Sequence, residues 1–159
     1  MMSQSLHDIL VHIHSVGRWV LLLLLLIGIF NSLVAGQRPF IRSDARTGLL
    51  LTITADIMLL LGLALYFFGP IGYHLLANFP GGMGAAMKEP TTRFFGIEHI
   101  TGMIIAIVLI HIGKAQGKKK MADRKKHVRT MVFYLLALIV ILATVPWPFR
   151  QIGTGSGWY

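Results

Sequence analysis

The chain has 159 residues, 55% of them hydrophobic and only 13% charged, with a formal net charge of +9. That balance excludes an ordinary water-soluble domain and fits a chain whose solvent is largely lipid. The positive charge sits mostly in two short segments between apolar runs, which excludes a nucleic-acid reader with its water-facing basic surface. The absence of cysteine excludes disulfides, iron–sulfur clusters and thiolate-ligated haem.

Four apolar segments follow in chain order, over about residues 15–36, 48–68, 94–113 and 128–147. Each has the roughly 20 residues that a membrane-spanning helix needs. Together they predict an all-α fold, an integral membrane four-helix bundle forming one domain over residues 1–159. The first segment is expected to be a retained helix rather than a signal peptide. Residues 1–17 carry no Lys or Arg, and the apolar run is longer than a usual signal core. Ser5 with Asp8 three residues on reads as a capping box, so this helix is expected to begin before the membrane does. Between the second and third segments, residues 69–92 are rich in Gly and Pro. They read as a connector over one mouth of the bundle.

Loop charges predict the orientation. The connections between segments one and two and between three and four hold eleven basic residues, and the other side holds four: Arg18, Lys88, Arg93 and Arg150. The positive-inside rule then puts both termini on the outer, periplasmic side of a bacterial inner membrane, in a multi-pass arrangement. Trp19, Tyr73, Trp147, Trp158 and Tyr159 all fall toward that outer side, where amphipathic rings favour the headgroup layer.

Ionisable groups inside apolar helices are costly and mark candidate sites. His99 follows Phe94 by five residues, roughly 8 Å below the outer boundary at helical rise. His14 lies near the same boundary on the first helix. Two imidazoles from different helices in one leaflet are what bis-histidine ligation of a b-type haem requires. Arg18 shares the face of His14 and suits a haem propionate or the headgroup of a quinone or lipid. Gly102, three residues after His99, keeps that face small, for a flat macrocycle or for close helix packing. His12 is about 200° from His14 around the helix, so only one of them can point inward, and His14 is the deeper.

A second, less favoured pair is His111 with His127 at the cytoplasmic end, although His127 lies in RKKHVR, where a charged face is the simpler reading. Asp56 sits near mid-membrane, with His111 its nearest basic group by depth. It is expected to be a proton relay, an orienter of an imidazole, or an interhelical hydrogen bond. Glu98 points about 100° away from His99 and is expected to meet Arg18 or Arg93, or to take protons from a quinol. Met58 and Met103 are readily explained as packing.

The segments HIHSVGRW, LLLGLALYFFGP, FFGIEHITGM and VPWPFR resemble those of small bacterial four-helix membrane proteins of the cytochrome b type. More distantly the chain is similar to the four-helix di-haem cytochrome b family, from which it departs in having Asp56 and no histidine in the second helix. The resemblance implies a non-covalent haem b and electron transfer with a quinone or a respiratory partner. The expected function is thus a membrane-embedded b-type cytochrome holding one haem at His14 and His99, with two haems the less favoured count. Any activity would be that of a quinone-linked oxidoreductase. The alternative is a haem-free accessory subunit of a larger respiratory complex. The expected partners are the lipid bilayer, quinone and respiratory subunits, with a homo-oligomer compatible and no nucleic acid.

Overall fold

The computed structural model describes residues 3–147 together with 149 and 152. Arg150, Trp158 and Tyr159, placed above on the outer side, lie outside the described residues. The long helices are α1 (Gln4–Val34) and α2 (Arg42–Phe68). Three short turns of helix follow: α3 (Tyr73–Ala77), α4 (Gly82–Ala86) and α5 (Pro90–Arg93). A π-helical turn (Phe94–Glu98) joins α5 to α6 (His99–Gln116), and α7 (Asp123–Thr144) completes the chain. Four helical stretches, Gln4–Val34, Arg42–Ala77, Pro90–Gln116 and Asp123–Thr144, are long and apolar enough to cross a membrane.

α1, α2 and α7 start earlier than hydropathy alone places them, and the third helical stretch opens at Pro90 through the short α5 and the π-helical turn, because helices continue past the apolar boundary wherever the backbone finds caps. At the start of α1 the expected Ser5–Asp8 box is not the cap. Ser3 is the N-cap, without a side-chain bond, and the Asp8 carboxylate lies 3.4 Å from the His7 ring instead. At α2 the cap is acidic. Asp44 accepts both guanidinium nitrogens of Arg38 at 2.7 Å and the Ile41 N–H at 3.0 Å. One carboxylate thus ties the turn after Gly36, whose φ of +59° suits glycine alone, to the next helix. The Gly- and Pro-rich connector is more structured than a plain loop. Its fourth residue, Gly72, has φ +128° and backs onto Tyr66.

α1 packs against α2 and α7, and α6 packs against the same two helices. The four form a square with α1 and α6 diagonally opposed, and short connections make neighbours antiparallel. The core is Leu21, Leu22, Leu25, Leu51, Ala55, Ala106, Ile110, Tyr134, Ala137, Ile141 and Val145. The outward faces are apolar too, with Leu23, Phe30, Leu60 and Ile139 each more than half exposed, as expected where the surrounding solvent is hydrocarbon.

Without a hydrophobic force between helices in lipid, close packing carries the association, and small residues permit it. Tyr134 shows this directly. Its ring lies among Gly28 of α1, Gly48 of α2 and Gly113 of α6, and a Cβ at Gly113 would approach the ring to 2.6 Å. Gly113→Ala is therefore expected to destabilise the bundle by about 1–3 kcal/mol through overpacking, read as a lower unfolding midpoint in detergent. An unchanged midpoint would show that Tyr134 is not held there.

Glu89 caps α5 by accepting the N–H groups of Thr91 and Thr92 at 3.1 and 2.6 Å. The Thr92 hydroxyl, with these N–H groups, holds its carboxyl down at about 2. Because the folded value is depressed, the cap is fully present above the unfolded value of about 4.3. It is lost as pH falls from there through about 2. Hydrogen exchange of Thr91 and Thr92, scaled to intrinsic rates, should lose protection over that window, and Glu89→Ala should remove the protection at all pH.

Candidate functional site

The two ends of the bundle differ. At the end carrying the start of α1 and the end of α7, His14, Arg18 and His99 lie within electrostatic range of one another. His14 and His99 thus converge from the diagonally opposed helices α1 and α6. His12 instead turns outward and bonds the Asp8 carbonyl at 2.8 Å.

The geometry of His99 follows from local chemistry. The sequence after α7 is VPWP, so Pro146 and Pro148 carry no N–H. These are the residues that would otherwise offer helical bonds to the carbonyls of Leu142 and Thr144. Both carbonyls are taken by side chains. The Trp147 indole N–H donates to Leu142 at 2.8 Å, and His99 Nδ1 lies 2.7 Å from the Thr144 carbonyl. A carbonyl only accepts, so Nδ1 carries the proton and Nε2 keeps its lone pair. This is the tautomer of a ligating histidine with its outer nitrogen anchored to the backbone.

The π-helical turn before His99 contributes a second positioning element. The His99 N–H reaches back five residues to the Phe94 carbonyl, and Gly96 presents its carbonyl to the Tyr66 hydroxyl at 3.0 Å. Such single wide turns inside α-helices recur at functional sites. The rings of Phe94 and Phe95 lie 5.9 and 6.3 Å from the His99 ring. The sequence contained no periodic signal for this turn.

On the opposing helix, His14 Nδ1 is buried with no hydrogen-bond partner among the described residues. Gly62 lies beside it, with room for a Cβ 3.4 Å from His14 Cε1. A buried orphan nitrogen is costly unless something completes it. Chemically the donor set, His99 through Nε2 and His14 through a ring nitrogen, is of the kind that holds a haem iron. Gly102 does not add clearance for a macrocycle, because the Thr144 side chain already occupies the space over it. It serves contact between α6 and α7. Met58 likewise packs its sulfur over Gly17.

The remaining predicted residues are distributed separately. Glu98 accepts Arg93 Nε at 2.6 Å, on an exposed surface. Asp56 of α2 and His111 of α6 meet at 2.8 Å, with side chains 51% and 45% exposed on the outward face of the bundle. His111 is thereby committed away from His127, and the structure does not bring that pair together. His127 is only 1% exposed, contrary to the charged face expected of RKKHVR. Phe40 from the first connection folds over it at 5.1 Å between ring centres and packs against Gly117. A phenylalanine after a proline was the only available hint. Both ring nitrogens of His127 lack hydrogen-bond partners among the described residues.

Comparison with protein-family models, curated proteins and solved structures finds no match to this chain.

The outward Asp56–His111 bond lies within apolar helix, where interhelical polar bonds contribute about 0.6 kcal/mol and at most about 1.7. A double-mutant cycle with Asp56→Ala and His111→Ala, read by unfolding in detergent, should give a coupling in that range. A coupling of zero would show that the bond contributes nothing to α2–α6 association.

Proposed function

We propose that this protein is a membrane-embedded b-type cytochrome of a bacterial inner membrane, carrying electrons between a quinol or partner complex and haem b held between α1 and α6. One observation carries the reading: His14 and His99 converge from diagonally opposed helices, with the Nδ1 proton of His99 already committed to Thr144. The charge asymmetry of the connections supports placing this end, with both termini, on the periplasmic side.

When bound, the haem supplies a one-electron iron couple. The residues of this chain hold and tune it. His99 keeps its ring fixed through the Thr144 carbonyl, which raises the ligand strength of Nε2 and prevents rotation. His14 supplies the second imidazole from across the bundle. Arg18, buried on the same face as His14, provides a positive charge suited to a propionate or to the headgroup of a quinone. Phe94 and Phe95 flank His99 and exclude water from the ring.

An absorption spectrum of the purified protein from haem-replete cells tests this. Reduced-minus-oxidised α and Soret bands are expected, with His14→Ala and His99→Ala each reducing haem content by more than about tenfold, the loss of one axial bond being worth well over 1.4 kcal/mol. A colourless, folded wild-type protein would overturn the reading. That outcome would favour a haem-free accessory subunit, for which the outward Asp56–His111 pair is the specific support: a polar pair at lipid depth suits a surface covered by another subunit.

A further inference from the structure

At the opposite end, beneath the basic connections, the four long helices enclose a cleft of about 270 Å³. Asn31 of α1, Thr47 of α2, Lys114 of α6, and Thr130 and Tyr134 of α7 all line it. Tyr134 is 2% exposed, and its hydroxyl lies 3.0 Å from where a Gly48 Cβ would stand, so the floor of the cleft exists because Gly48 has no side chain.

The charge around the cleft is one-sided. Arg42, Lys114 and Lys118 line it, with Asp44 the one acid. That acid is already saturated by Arg38 and the Ile41 N–H. Among the described residues, none of the three cations forms an ion pair. Lys114 is not a freely splayed surface lysine. It is partly buried, and its Cγ lies 3.4 Å from the Gly48 Cβ position, so α2 holds its stem against the cleft. Three cations around one cleft, Lys114 partly buried and Arg42 and Lys118 exposed, attract an anion and repel a cation. A neutral ring compound would leave those charges unanswered.

We propose that this cleft binds a phosphate group. Lys114, Lys118 and Arg42 would neutralise its oxygens, and the Asn31 amide and the Tyr134 hydroxyl would donate neutral hydrogen bonds; the Thr47 hydroxyl is already given to the Ser43 carbonyl. The phosphate is either that of a lipid headgroup entering from the bilayer or a free phosphate entering from water. The site lies apart from His14 and His99 and does not depend on haem.

The test uses the full-length protein, delipidated in a neutral detergent, with binding measured by calorimetry and native mass spectrometry. The probes are inorganic phosphate and dioctanoyl phosphatidic acid, with dioctanoylglycerol as the uncharged control. Saturable one-site binding of either phosphate probe is expected, weakened about tenfold or more in Lys114→Gln and in Arg42→Gln. Binding of the lipid alone assigns a headgroup, and equal binding of inorganic phosphate assigns a free anion. Lys125→Gln, on the basic surface away from the cleft, should bind as wild type. Circular dichroism confirms the fold of each variant, and Arg42→Gln is read alone if Lys114→Gln does not fold. No binding of either phosphate probe overturns the proposal, as does equal weakening by Lys125→Gln, or wild-type affinity in both cleft variants.

Discussion

Inside hydrocarbon a backbone N–H or C=O without a partner costs several kcal/mol, because no water is present to complete it. Much of the specific chemistry in this protein follows from that constraint. The carbonyls of Leu142 and Thr144 lose their helical donors to two prolines and are completed by Trp147 and His99. The Gly117 N–H bonds to Lys114 at the end of α6, and Gly113, one residue earlier, receives the Thr130 hydroxyl at 3.1 Å. Gly96, in the wide turn before His99, receives the Tyr66 hydroxyl. The His99, Thr130 and Tyr66 side chains cross between helices, so satisfying these carbonyls also fixes how the helices meet.

The orientation of His99 is one product of this accounting. Its ring is aimed by the end of α7, forty-five residues away in sequence, and not by its own helix alone. A sequence reading reaches the helix and the depth of the residue, since both follow from apolar length and the 1.5 Å rise. It does not reach the tautomer, which depends on where the end of another helix falls. The same distinction separates other residues. Depth pairs Asp56 with His111, and the structure brings them into contact; for Glu98 the sequence leaves Arg18, Arg93 or a quinol open, and the structure gives it Arg93. Gly102 was open between cofactor clearance and helix contact, and only the position of Thr144 decides it. His127 looked solvated because its neighbours in sequence are charged, yet Phe40 from a different connection buries it.

The glycines make the same point from the opposite direction. In a membrane helix a glycine reads simply as a close-packing residue. Here Gly28, Gly48 and Gly113 converge from three helices on one ring, that of Tyr134, contributed by the fourth. Their joint effect is to let a large, hydroxyl-bearing side chain stand at the centre of the bundle near its basic end. Periodicity gives the face of each glycine separately. The shared target depends on the square arrangement of helices, which no single helix encodes.

Between the two ends the interior offers little for a proton to follow. Leu25, Leu51, Ala55, Ala106, Ile110 and Ile141 fill it with hydrocarbon. Thr52, buried among them, turns its hydroxyl back to the Gly48 and Leu49 carbonyls of its own helix. The polar pair at comparable depth, Asp56 with His111, lies on the outward face instead. His99 and His111 are twelve residues apart on one helix, roughly 18 Å along its axis, and face different surroundings. A change of charge at the His14–His99 end would therefore reach the basic end through the electric field across an apolar core, where low dielectric strengthens it.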